Sequence, residues 1–354
     1  MLYLLDHIHR FINLSLLSVI LGTMALPHAK AHGLNWQSHP QLPDNEGFAG
    51  SFSGTSNGVL LVAGGSNFPK KRPWQGGTKV WYDKVYALHK GDSNWTIAGK
   101  LPCANGYGIS ITTDIGMIII GGGDLKHNFL EVWLVKYTDN KLTFTQWPKL
   151  PQPLAQAAGA LNDRTIYVFG GINTPDSTHS ENNLYALNID NISAGWHILE
   201  SCPGPGRILA TAAAHEGTFY IFGGAQLLKD KDGKAKREWL IDAWSYKPNQ
   251  GWLKLANLPR ACVAAPTPAA YIDNHILIMG GDDGSQVNID PTKHKGFRRD
   301  ILAYDPSTDK WSTRGYLPFS LVTTPLTYWD GKIIIAGGEQ RPGVRSPTVW
   351  SASH

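Results

Sequence analysis

The amino-acid sequence predicts an all-β protein made of six copies of one unit, joined into a ring by the two ends of the chain. Three observations carry the prediction. Six short apolar runs each end in Gly-Gly, and the first glycines of successive pairs lie 57, 49, 53, 57 and 57 residues apart. Each of the first five pairs is followed by a variable loop, a second apolar run and a tryptophan. The sixth unit ends without its tryptophan, while an unmatched Trp36 stands near the start of the chain. A recurring period in this range marks a repeat architecture.

The runs closed by glycine are VLLVAGG (59–65), MIIIGGG (117–123), TIYVFGG (165–171), TFYIFGG (218–224), HILIMGG (275–281) and KIIIAGG (332–338). β-Branched and aromatic residues bounded by glycine describe a buried strand, ending where the backbone turns in a way that a side chain would obstruct. The second runs are KVYALH (84–89), EVWLVKY (131–137), NLYALNI (183–189), DAWSYK (242–247), DILAYD (300–305) and TVWSAS (348–353). Trp95, Trp252 and Trp311 then lead to Leu-Pro six residues on, Trp196 leads to Cys202-Pro203, and Trp147 reaches Leu150-Pro151 after a shorter gap. Trp36 leads to Leu42-Pro43 with the same six-residue spacing. The N-terminal strand is therefore expected to complete the unit that the C-terminal segment begins, which removes the edges an open sheet would expose.

Tight turns join the first strands of a unit, as at SNG (56–58), NDR (162–164), IDN (272–274) and DG (330–331). The segments after Gly-Gly are longer, at 66–83, 172–182, 225–241 and 282–299. Long loops on a rigid scaffold are where binding groups gather, so the face carrying the Gly-Gly exits is expected to be the functional one. The innermost strands are rich in small residues, as in GFAGSFSG (47–54), AQAAGAL (155–161) and ILATAAA (208–214). Either they leave room around the axis, or they answer the crowding of six converging strands.

With 354 residues, 42% of them hydrophobic and 17% charged, the chain can bury a large core in one big domain or two smaller ones. A formal net charge of +4 gives no case for nucleic acid. The dense charged run KDKDGKAKRE (229–238) mixes both signs and reads as a solvated loop. Residues 1–31 read as a signal peptide: an apolar run of 16 residues precedes the small-x-small site Ala29-Lys30-Ala31. That run is shorter than the roughly 20 residues of a membrane helix, although a retained anchor is the alternative. The expectation is a mature domain spanning 32–354, periplasmic or secreted. Cys103, Cys202 and Cys262 allow at most one disulfide and match no metal-ligand spacing. They read as small apolar residues near the core.

Gly-Gly, an aromatic strand and a tryptophan at a period near 50 resemble the kelch repeat. The resemblance covers essentially the whole of 32–354 and implies an all-β, six-bladed kelch β-propeller, its sixth blade closed by the N-terminal strand. It says little of chemistry, because one fold hosts many activities.

One loop departs from the other five. In AGGEQRPGVRS (336–346) a Gly-Gly pair is followed directly by Glu339, with Arg345 six residues later. Pro342 stiffens the loop and Gly343 permits a sharp reversal, so the two charges should share one rim of the channel mouth. Such a pair can divide its work: a carboxylate exchanges protons, and a guanidinium clamps an anionic group. An ordinary surface ion pair, worth roughly 0–1 kcal/mol, is the alternative. Glu46, Asn105, Arg207 and Arg260, on connections between blades, are further candidates for substrate binding at the same mouth.

The loop resembles the Gly-Glu…Pro-Gly-x-Arg segment of the kelch-type sialic acid mutarotases, or N-acetylneuraminate epimerases, as do GFAGSFSG, GGSNFP and GGTKVWYDKVYAL. The resemblance implies that Glu339 and Arg345 are catalytic and that the partner is a small-molecule sialic acid. It also implies α/β interconversion by acid/base ring opening, with no metal or other cofactor required. In better-known members the glutamate loop lies mid-chain; its C-terminal position here resembles a cyclically permuted branch. Two rivals remain. One is a non-catalytic propeller that binds a sugar or a protein. The other is a copper-radical oxidase resembling galactose oxidase, for which His127, His179, His215 and His294 show no ligand spacing.

Overall fold

A computed structural model describes residues 33–353. The expected signal segment, 1–31, lies outside the described residues. Six four-stranded antiparallel sheets form the blades. Blade 1 comprises Phe52–Ser56, Val59–Ala63, Lys84–Leu88 and Thr96–Lys100, from the axis outward. Blades 2 to 5 follow at 109–147, 158–199, 211–255 and 270–316. Blade 6 comprises Leu326–Trp329, Lys332–Ala336 and Val349–Ser353, and its outermost strand is the N-terminal Asn35–His39. Asn35 pairs with Ser353 and His39 with Val349, so the two ends of the chain seal the ring. Among the described residues no helix is long and apolar enough to cross a membrane.

The glycine pairs exist because neighbouring blades touch there. Gly64 has φ 61°, and a Cβ on it would fall 2.3 Å from the carbonyl oxygen of Asn105, on the connection to blade 2. Its neighbour Gly65 donates its N–H to that same carbonyl at 2.8 Å. The second glycines of blades 2, 3, 4 and 6 make the equivalent bond, to Leu154, Arg207, Cys262 and Phe48. Tryptophans tie the outer rims together. The indole N–H groups of Trp95, Trp196, Trp252 and Trp311 donate to Pro40, Pro148, Glu200 and Ala256, each on the preceding blade.

The core lies between sheets rather than within one. Phe52, Leu61 and Ala63 of blade 1 pack against Met117, Ile119 and Val135 of blade 2. Across the seam, Leu60 and Val62 of blade 1 pack against Trp329, Ile334 and Val349 of blade 6. Each such large side chain contributes about 1.5–3 kcal/mol when fully buried.

Two expectations are corrected. The charged run at 229–238 belongs to an ordered hairpin, Ala225–Lys229 with Ala235–Trp239, although its side chains are almost wholly exposed. Cys202 and Cys262 are buried free thiols, with burial pushing each up to about 11, but Cys103 is exposed.

Replacing Gly64 by alanine should destabilise the fold by at least about 2 kcal/mol, since it adds a strained left-handed residue and a backbone clash. Equilibrium denaturation checks this; an unchanged midpoint would show that the blades can part there without loss.

Candidate functional site

Around the axis the first residue of each innermost turn takes part in a closed circle. The N–H of Gly50 bonds the carbonyl of Thr323, and Tyr107 bonds Gly50, Gln156 bonds Tyr107, Leu209 bonds Gln156, Ala264 bonds Leu209 and Thr323 bonds Ala264, all at 2.7–2.8 Å. All six residues have positive φ, between 53° and 65°. In each blade the residue before this belt pairs with the residue after Gly-Gly: Ala49 with Ser66, Gly106 with Gly123, Ala155 with Ile172, Ile208 with Ala225, Val263 with Asp282 and Val322 with Glu339. Glu339 therefore occupies a position that recurs six times beside the axis.

Above the belt opens a cavity of about 570 Å³, within the range of small-molecule sites. Its wall draws on the loops after Gly-Gly, including Phe68 and Lys79 of blade 1, Arg237 of blade 4, Asp282 of blade 5, and Glu339 and Arg345 of blade 6. Gln156 rises from the belt into the same space, and its buried Oε1 has no hydrogen-bond partner among the described residues.

The structure brings Glu339 and Arg345 together. They face each other across a two-stranded hairpin, Glu339–Arg341 with Val344–Arg345, turned at Pro342 and Gly343. Arg345 Nη1 donates to Glu339 Oε1, and the Gly343 N–H donates to the same oxygen at 2.6 Å. The Arg345 side chain is only 4% exposed and that of Glu339 18%, so this is no loose surface pair. The guanidinium lies 5.0 Å from the Phe68 ring centre, and its Nε points at the Ser66 carbonyl oxygen at 3.4 Å. Among the described residues Nη2 makes no hydrogen bond, so Nε and Nη1 carry the polar contacts of the guanidinium.

A second polar group shares this wall, and the sequence did not single it out. Tyr107 Oη lies 2.9 Å from Ser66 Oγ and 3.4 Å from Lys79 Nζ. The Lys79 ammonium also lies 5.0 Å from the Tyr107 ring centre and 5.1 Å from that of Trp81.

The other four candidates do not line the cavity. Glu46 pairs with Arg72. Asn105 is buried, and its Nδ2 donates to the Gly121 carbonyl at 2.9 Å. Arg207, its side chain 0% exposed, holds Asp242 through two bonds of 3.0 and 2.7 Å and donates to the Gly223 carbonyl. Arg260 repeats this arrangement one blade on, with Asp300 and the Gly280 carbonyl. Burial pushes the Asp300 carboxyl upward, but bonds from Arg260 and Arg298 outweigh it and hold the group below its ordinary 3.8. These arginines serve the blade junctions: each binds the carbonyl of a first glycine and neutralises an acid at the start of the next strand.

A ring of six kelch-type blades around a polar cavity defines the class. Residues 110–338 match the family model of the KLHDC2/KLHL20/DRC7 kelch-repeats domain, and the chain belongs to the kelch-repeat proteins. More particularly, residues 22–144 match the model of N-acetylneuraminate epimerase. The chain is 30% identical over 227 residues to the N-acetylneuraminate epimerase of Haemophilus influenzae (strain 86-028NP), covering 56% of this chain and 57% of that one. It is 29% identical over 229 residues to that of Pasteurella multocida (strain Pm70), covering 57% of each. The chain thus spans about 57% of the length of these curated relatives. The solved structure of YjhT superposes with a TM-score of 0.63 at 17% identity, over 87% of this chain and 95% of that chain; this likeness bears on fold alone.

Arg207→Leu should lower stability by about 3–5 kcal/mol, because it strands the Asp242 carboxylate in a half-buried junction; denaturant titration measures the loss. Asp300 adds stability that is complete above its unfolded pKa near 3.9 and is lost as pH falls towards its lower folded value. Asp300→Asn should accordingly show a flatter fall in stability than wild type between about pH 5 and 2, measured by thermal melts across that range.

Proposed function

We propose that this chain is a sialic acid mutarotase, interconverting the α and β anomers of N-acetylneuraminate or a close relative by acid/base ring opening. The observation that carries the reading is the Glu339–Arg345 hairpin on the cavity wall. The similarity to N-acetylneuraminate epimerases supports it. The hairpin lies at the C-terminal end of the ring, and on this reading the chain is a cyclically permuted member whose flanking loops set the substrate. A closed ring tolerates such a change because every blade keeps its neighbours.

The chemistry follows from the two groups. A cyclic sialic acid carries a hydroxyl and a carboxylate on its anomeric carbon. Arg345, through its unengaged Nη2 and its charge, anchors the carboxylate. That places the anomeric hydroxyl beside Glu339, which removes its proton. The bond from anomeric carbon to ring oxygen breaks, a carbonyl forms, and the ring oxygen takes up a proton. Rotation about the adjacent carbon–carbon bond presents the other carbonyl face, and the same steps run backwards. The Gly343 N–H on Glu339 Oε1 leaves the second carboxylate oxygen for the substrate. The reading also places the mature domain outside the cytoplasm, in the periplasm or secreted, on the strength of residues 1–31.

The test is one-dimensional NMR of free N-acetylneuraminate approaching anomeric equilibrium. Wild type should speed equilibration well beyond buffer. Glu339→Gln should lose about 100-fold or more of that acceleration while remaining folded, and Arg345→Leu should raise KM most. A folded wild type no faster than buffer would sink the proposal. Equal rates in wild type and Glu339→Gln would instead mean that the carboxylate moves no proton.

A further inference from the structure

Ring opening needs two proton transfers, and the hairpin of blade 6 supplies one group for them. We infer that Tyr107 is the second, giving its proton to the ring oxygen as the ring opens, with Lys79 and Ser66 holding it in place; the inference rests on the mutarotase reading above.

The backbone of Tyr107 is fixed on both sides. Its N–H bonds the Gly50 carbonyl at 2.8 Å, and its own carbonyl accepts from the Gln156 N–H at 2.7 Å. Its ring lies against Gly50, where a Cβ would fall 2.8 Å from Tyr107 Cδ1, so a side chain at 50 would displace it. From this anchored base the phenol reaches the cavity wall that also carries Glu339 and Arg345. One residue joins the two pairs: the Ser66 carbonyl faces Arg345 Nε at 3.4 Å, and the Ser66 hydroxyl meets Tyr107 Oη at 2.9 Å. A proton acceptor and a proton donor thus flank one space, with a single residue between their partners. A pyranose asks for both on one cavity, because its anomeric hydroxyl and its ring oxygen are attached to the same carbon.

The step balances without a further reactant. The anomeric O–H bond breaks and its proton goes to Glu339. The electron pair forms the carbonyl, the bond to the ring oxygen breaks, and that oxygen takes the Tyr107 proton. The Lys79 ammonium at 3.4 Å and the Ser66 hydroxyl then stabilise the phenolate oxygen. Closure returns the phenolic proton to Tyr107 and the other from Glu339 to the new hydroxyl.

Tyr107→Phe, Lys79→Met and Lys79→Arg test this in the full chain. Two readouts are needed: anomeric exchange of free N-acetylneuraminate by NMR, and calorimetric binding of its α-methyl glycoside, which occupies the site but cannot open. Tyr107→Phe should lower kcat by about 100-fold or more and leave glycoside affinity within about threefold. Lys79→Met should lower kcat by about tenfold, and Lys79→Arg, which keeps the charge, should restore most of it. A Tyr107→Phe enzyme within about threefold of wild-type kcat overturns the role of Tyr107 and leaves the mutarotase reading standing. Parallel loss of rate and glycoside binding also overturns it, since the phenol would then only bind. If Tyr107→Phe does not fold, the Lys79 pair decides, and unchanged kcat in Lys79→Met overturns the inference. A wild type that never beats buffer brings down both readings.

Discussion

Everything near the axis depends on the closed circle of six backbone hydrogen bonds that runs through Gly50, Tyr107, Gln156, Leu209, Ala264 and Thr323. Five of these residues are not glycine, yet all are left-handed, a conformation costing of order 1–3 kcal/mol for a residue with a side chain. The circle fixes it from outside. Each belt residue is held by a bond to the blade before and a bond to the blade after, so no residue can relax without opening two junctions. The same geometry throws five side chains onto the boundary between the cavity above and a narrower one of about 60 Å³ below. The belt is at once the structural hub and the floor of the cavity, which is why Tyr107 and Gln156 reach that cavity without any dedicated loop.

The pairing of the pre-belt residue with the post-Gly-Gly residue turns six loops into six equivalent perches. Ser66, Gly123, Ile172, Ala225, Asp282 and Glu339 occupy them. Fold and function separate cleanly at these positions, since the backbone bonds there are indifferent to the side chain. Asp282 is a second acid on one of these perches. Its oxygens are taken up by the Trp239 indole N–H at 3.2 Å and the Gly284 N–H at 3.0 Å, whereas Glu339 faces a guanidinium across a hairpin of its own.

The fold was legible because its signal repeats. Gly-Gly marks the junction where a side chain would strike the next blade, and the displaced Trp36 announced where the ring closes. The Glu339–Arg345 pair was legible because both groups lie on one short hairpin whose Pro-Gly turn confines them. Tyr107, Lys79 and Ser66 were not, because they meet only through the belt and through the pairing of Ser66 with Trp81, and nothing in their spacing anticipates it. Arg207 and Arg260 misled for a related reason. An arginine beside a blade junction reads alike whether it faces the axis or turns back, and here both turn back to glycine carbonyls and an acid. The hairpin at 225–239 was hidden because only Ala225 and Leu227 of its first strand are buried, while its second strand is exposed except for the half-buried Trp239 and carries mixed charges.

The site also lies across the seam where the chain closes. Arg345 belongs to the last blade, but Ser66 and Phe68, which hold it, belong to the first. Nearby, Leu42 donates its N–H to the Pro347 carbonyl at 2.9 Å, and a Cβ on Gly47 would fall 2.0 Å from the carbonyl carbon of Ser346. The backbone on either side of Arg345 is therefore set by the segment that follows the N-terminal strand. The N-terminal strand runs on into blade 1, and within blade 6 hydrogen bonds alone join that strand to the other three. Those bonds form the ladder from Asn35–His39 to Val349–Ser353. The ladder that closes blade 6 thus ties the segment bearing Glu339 and Arg345 to blade 1, whose Ser66 bridges in turn to Tyr107 at the start of blade 2.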